Sequence, residues 1–142
     1  MRGQVELTIQ RADDLQVVDI IRSSNLVVDQ GYGEMLDIFT GGSLTKYLRY
    51  MQFGTGIATP AVGDTTLQSP VNPVKAFATV EYEDANYLVR LTAYLLAAEG
   101  NGFRITEAGL LTFGSKLFAR ATFSGQQKST DYQFQFRWEL SS

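Results

Sequence analysis

The 142-residue chain contains no cysteine and no histidine. That double absence excludes zinc and copper centres built on thiolates or imidazoles, cysteine nucleophiles and Ser-His-Asp triads. It also means that no disulfide supports the fold, although it says nothing of the compartment. Charge is sparse. Twelve Lys and Arg face 15 Asp and Glu, for a formal net charge of −3 and a pI near 4.9. No run of basic residues offers a nucleic-acid phosphate footprint. No apolar run reaches the length of a membrane span, and Met1-Arg2-Gly3-Gln4-Val5 leads almost directly into a strand pattern rather than a signal-peptide core. The partners expected from these absences are neither nucleic acid nor membrane.

What the chain does have is aromatic and aliphatic bulk: 44% hydrophobic residues, with 9 Phe, 7 Tyr and 1 Trp. At this length one domain with a real core is expected over residues 1–142. The stretch Tyr132-Gln133-Phe134-Gln135-Phe136-Arg137-Trp138-Glu139-Leu140 alternates apolar and polar without a break. Period two marks a β-strand whose buried face carries Tyr132, Phe134, Phe136, Trp138 and Leu140. Val5, Leu7 and Ile9 alternate in the same way near the N-terminus. A turn at Ala12-Asp13-Asp14 joins that strand to Val17–Arg22 as a hairpin.

The period then changes. Tyr32, Met35, Leu36 and Phe39 lie at i, i+3, i+4 and i+7, one face of a helix over roughly residues 30–40. Asp29 is the expected N-cap, and Gly41-Gly42 the expected stop. Leu48–Phe53 reads as a strand. Residues 54–73, with Gly54, Gly56, Pro60, Gly63, Pro70 and Pro73, read as a long loop holding a tight turn at Asp64–Leu67. A loop of that length in a compact domain is usually functional or interface-forming. Beyond it a meander is expected: strands over 75–83, 87–98, 103–113 (broken near Ala108-Gly109), 116–123 and 132–140. A two-residue turn at Gly114-Ser115 would join the third and fourth of these. Strands, one helix, then strands predict an antiparallel, jelly-roll-like β-sandwich with the helix at an edge or end.

Candidate sites are few. Gly54-Thr55-Gly56 lacks the Lys-Ser/Thr ending of a phosphate loop and reads as a structural turn. Glu81, Glu83, Asp84 and Asn86 gather oxygens at a hairpin and could meet calcium, but without EF-hand spacing they read as a solvated turn. Asp13, Asp14 and Glu107 offer carboxylates, with nothing in the sequence to pair them in a cleft. Arg104, Arg120 and Arg137 read as a polar outer sheet face, with a subunit interface as the alternative. Tyr47, Tyr50, Phe53, Tyr82, Tyr87 and Tyr94 read as core rather than as a glycan platform. No catalytic, cofactor or metal site is expected.

Three ordered blocks carry a resemblance. They are Asn25-Leu26-Val27-Val28 with Gly31; then Phe53-Gly54-Thr55-Gly56 with Thr59-Pro60-Ala61 and Asp64-Thr65-Thr66-Leu67; then Ile105-Thr106-Glu107-Ala108-Gly109-Leu110 with Leu117-Phe118-Ala119-Arg120-Ala121-Thr122-Phe123. Over roughly residues 25–140 the chain resembles small β-rich virion proteins of tailed bacteriophages. The resemblance implies a non-enzymatic capsid decoration or cement protein without cofactors. Such a protein is assembled in the bacterial host cytoplasm and bridges major capsid subunits as a trimer or dimer. The alternative it implies is a tail, baseplate or fibre-adaptor component. The expected contact residues are Val5, Leu7 and Ile9 on an N-terminal arm (residues 1–10), and Gly54, Thr55, Gly56, Ile57, Pro60, Pro70 and Pro73 on the loop. Asp64 and Thr65 as a side-chain-capped turn, with close backbone approach at Gly109, would hold that loop against the sheet.

Overall fold

A computed structural model describes residues 1–42 and 46–141. The alternating segments pair into two antiparallel five-stranded sheets packed face to face, the expected β-sandwich. The strands are β1 (Arg2–Arg11), β2 (Val17–Ser24), β3 (Leu26–Val27), β4 (Leu48–Gly54), β5 (Pro70–Ala76), β6 (Thr79–Glu83), β7 (Leu88–Leu95), β8 (Arg104–Thr112), β9 (Leu117–Gln127) and β10 (Tyr132–Ser141); α1 (Asp29–Phe39) follows β3. One sheet, sheet A here, runs β2-β1-β10-β7-β6, and the other, sheet B, runs β3-β9-β8-β4-β5.

The period-two strand β10 sits at the centre of sheet A, between β1 and β7. Its alternate residues Phe134, Phe136, Trp138 and Leu140 face inward with Val5, Leu7 and Ile9 of β1 and Leu91, Ala93 and Leu95 of β7. Met51, Phe53, Ile105, Ala108, Leu110 and Ala121 close the core from sheet B. Phe53 and Phe136 meet across the layers with ring centroids 4.3 Å apart. Burial of this aromatic layer supplies the main driving force, at roughly 25 cal/mol per Å² of apolar area.

Several expectations change. Residues 1–10 are not a free arm: β1 is hydrogen-bonded on both sides, and Val5, Leu7 and Ile9 are core residues. They are inaccessible as partner contacts, because period-two burial on a central strand needs the same residues. The loop is shorter than expected, since Pro70 and Pro73 lie within β5. A proline lacks an N–H, and an outer strand needs only one hydrogen-bonded side, so the sheet edge accommodates both. The single strand expected over 75–83 is two strands in different sheets. Phe77 N–H donates to Arg49 O of sheet B at 3.2 Å, and the next residue, Ala78, donates to Thr92 O of sheet A at 2.7 Å. The chain changes layers across that one peptide.

Strand β8 is continuous through Ala108-Gly109, and its register shifts against β9 fall on either side, at Ile105/Glu107 and Leu110/Leu111. At the turn that follows, Ser115 adopts φ 66° and donates to Thr112 O, while Thr112 N–H reaches Lys116 O. This is a three-residue hairpin loop with a left-handed last residue, not the two-residue turn.

The helix forms where expected, but with another face inward. Gly31 and Glu34 are buried, Met35 is half-buried, and Tyr32, Leu36 and Phe39 are exposed. Gly31 sets the orientation, since a Cβ there would lie 2.2 Å from the Phe118 carbonyl oxygen of β9. Only glycine permits that approach. Val28, not Asp29, is the N-cap, with no side-chain hydrogen bond, while Gly41 at φ 77° ends the helix as anticipated.

Candidate functional site

Between the adjacent strands β4 and β5, residues 55–69 leave the sheet edge and fold back over the outer face of sheet B. Thr55 N–H donates to Ser69 O at 2.9 Å and closes the base of the loop. Apolar contact comes first: Leu67 is buried in a second small core with Val28, Leu111 and Leu117, and Tyr50 packs against it. Gly109 makes room for that plug, because a Cβ there would stand 2.8 Å from Leu117 Cδ1 and 2.9 Å from Leu67 Cδ2. The close backbone approach expected at Gly109 is thus present.

Polar anchors then fix the loop. Glu107 on β8 is fully buried and accepts hydrogen bonds from the backbone N–H of Gln68 (2.8 Å) and of Ser69 (3.3 Å). Arg120 on β9, with 2% of its side chain exposed, lies 3.5 Å from Glu107 and donates to Asp64 Oδ2 at 3.1 Å. Thr106 Oγ1 donates to Gly56 O at 2.7 Å. Gln68 Oε1 accepts from the N–H of Ile57 and of Ala58. Asp64 also accepts from Ala61 N–H at 2.9 Å, and its own N–H donates to Ala61 O at 3.0 Å, so the side-chain-capped turn spans Ala61–Asp64 and ends at the aspartate, rather than running over Asp64–Leu67 as expected. A buried carboxylate is stable only when its lone pairs are used, and here both oxygens are.

Gly54-Thr55-Gly56 therefore has a structural explanation. A Cβ at Gly56 would fall 1.7 Å from Glu107 Oε2, and one at Gly54 would lie 2.8 Å from Glu107 Cγ. The two glycines clear space for the glutamate. The expected loop contacts divide accordingly: Gly54 and Gly56 are buried, Thr55, Pro60 and Pro73 are half-buried, and Ile57 and Pro70 are exposed. Ile57 is 79% exposed and Val62, not singled out from the sequence, 54%. A hollow of 350 Å³ opens between Thr59, Asp64, Thr66 and Arg120.

The remaining candidates do not converge. Arg104, Arg120 and Arg137 are not one outer face: Arg120 is buried under the loop, and Arg137 is on the other sheet, where it bonds Glu139. Glu83 is engaged by Asn86 and Arg90. Asp14 pairs with Arg11, whose hydrogen bond holds the Asp14 carboxyl below its ordinary value. Among the described residues no group of three or more Asp or Glu is arranged to hold a metal ion. Of the six aromatics read as core, Phe53 is fully buried, Tyr50 and Tyr94 are half-buried, and Tyr47, Tyr82 and Tyr87 are exposed. Tyr82 and Tyr87 flank a 580 Å³ apolar groove at one end of the sandwich, with Met35, Ile38 and Phe39 of α1. Lys46 at its rim bonds Glu34 and Asp37.

No protein-family model, curated protein or solved structure matches the chain.

Proposed function

We propose that the chain is a non-enzymatic structural protein of a tailed-bacteriophage virion, a decoration or cement protein that binds across neighbouring major capsid subunits. Its action is passive: binding only the assembled lattice stabilises that lattice by mass action. The observation that supports this reading is the 55–69 loop. A segment of this length, plugged by Leu67 and clamped to Glu107, Thr106 and Arg120, is held in one shape while Ile57 and Val62 point to solvent. A preformed loop pays little ordering entropy on docking, and exposed aliphatics on it supply contact area. Glu107, a fully buried carboxylate, is spent on holding the loop.

The test is particle occupancy of the Ile57→Asp, Val62→Asp double variant. Both side chains are exposed, so the variant should unfold at the wild-type temperature yet occupy particles markedly less. Full occupancy would remove the loop from the contact surface.

A further inference from the structure

One large apolar hollow is built into the end of the sandwich where α1 lies. The groove, 580 Å³ in volume, is lined from both layers, by Leu140 of sheet A and Phe118 of sheet B, two core side chains. Ile38 and Phe39 of α1 line it too, as do Tyr82 and Tyr87, which bracket the short turn Asp84–Asn86. Folding ordinarily covers large apolar side chains, and contiguous ones left in water mark a place where something binds. Here Phe39 is 73% exposed, and Tyr82 and Tyr87 are each 71% exposed. Tyr87 carries a second sign. Its backbone sits at φ 49°, ψ 49°, the left-handed region that a bulky side chain seldom enters. Glycine would suit that turn better, so the strain is kept together with a ring at the groove.

We propose that this groove binds an uncharged apolar small molecule, a ring system or alkyl chain with at most one hydroxyl or carbonyl group at the rim. Volume, charge and polarity select that occupant. The volume lies within the roughly 300–1,000 Å³ of small-molecule pockets. Lys46 is the only charged side chain lining the groove among the described residues, and it is bonded to both Glu34 (3.0 Å) and Asp37. An anionic head would have to displace one of those carboxylates, and a cationic head would be set beside the ammonium; an uncharged guest disturbs neither. A peptide segment fits worse. It would bury its own N–H and C=O groups where the lining side chains offer only the tyrosine hydroxyls, Lys46 and Ser141 as polar partners. No residue of the 55–69 loop lines the groove, so the inference stands whether or not the chain is a virion component.

The experiment is a fluorescence titration of the full chain with N-phenyl-1-naphthylamine, an uncharged apolar dye that brightens on leaving water. One dye per chain should bind, with a dissociation constant on the order of 10 μM. Decanol should displace it, whereas decyl sulfate and decyltrimethylammonium, with the same chain and a charge, should displace it less. Ile38→Lys should weaken dye binding about tenfold or more, because an ammonium then lies at the groove. The last turn of α1 has no basic residue, and a cation there suits the helix dipole, so the fold tolerates the lysine. Tyr87→Gly should weaken binding about fivefold while raising the melting temperature, since it removes a ring and relieves the left-handed backbone. Loss of fold would move both readings the same way. Absence of saturable binding overturns the proposal, as do equal affinities in all three proteins or stronger displacement by either charged chain. A concentration-dependent dimer that excludes the dye would assign the groove to a second copy and overturn it as well.

Discussion

Replacing Glu107 by alanine should do more damage than any other single truncation on the outer face of sheet B. The carboxylate is fully buried and is the acceptor for the N–H groups of Gln68 and Ser69. Its loss leaves two backbone donors without a partner, at about 1–3 kcal/mol each if they stay buried. It also leaves the buried Arg120 guanidinium with Asp64 alone, and breaking a buried pair costs about 3–5 kcal/mol. These effects overlap, because the loop can lift and let water reach the orphaned groups, so a net loss of about 4 kcal/mol is expected. Against a total stability of about 5–15 kcal/mol that is a large share. Glu107→Gln retains one acceptor oxygen and the shape, and should lose about half as much. Urea unfolding gives the energies, and amide exchange at Gln68 and Ser69 locates them. A loss under about 1 kcal/mol for the alanine variant, or unchanged exchange at those two amides, would refute the clamp.

Trp138 has no exposed surface, and Trp138→Ala should cost about 3–5 kcal/mol in urea unfolding. Gly109→Ala should destabilise by about 1–3 kcal/mol, because the methyl meets Leu117 and Leu67 closer than van der Waals contact allows, and amide exchange of the loop should quicken with it. Leu15 is half exposed at φ 58°, so Leu15→Gly should raise stability by about 1 kcal/mol, read as a rise in melting temperature. Burial pushes the Glu99 carboxyl up, but hydrogen bonds from Lys75 and from Leu96 N–H outweigh it and hold it below its ordinary value. A depressed carboxylate stabilises the fold above its unfolded pKa, and that contribution fades as pH falls through the folded value. Lys75→Met should therefore cost about 1 kcal/mol at pH 7 and much less near pH 3, by urea unfolding at both.

Period-two segments are legible because burial and backbone geometry share one repeat: Val5, Leu7 and Ile9 of β1, Met51 and Phe53 of β4 and the whole of β10 follow their alternation, and β10 lies at the centre of its sheet. The loop is legible from its glycines and Pro60, and Gly109 carries a local signal of the close approach beneath it. What sequence could not show was pairing at a distance. Nothing in Glu107 or Arg120 marks them as buried, because their partners, Gln68, Ser69 and Asp64, lie about 40–55 residues away in the chain. The central place of the N-terminal strand is hidden for a related reason. Alternation in Val5, Leu7 and Ile9 says that one face is buried but not whether the strand is central or at an edge. The helix turned its apolar stripe outward because one glycine, Gly31, fits against β9 where a side chain cannot. Pro70 and Pro73 carry a loop signal, and an edge strand tolerates them as well.

The most direct test of the proposed role is the copy number of this chain relative to the major capsid protein in purified particles, by quantitative mass spectrometry. A cement protein should be present in hundreds of copies per particle, in fixed ratio to the lattice. A few to a few dozen copies would contradict the capsid placement and point to the tail or neck, and absence from particles would contradict the virion role altogether.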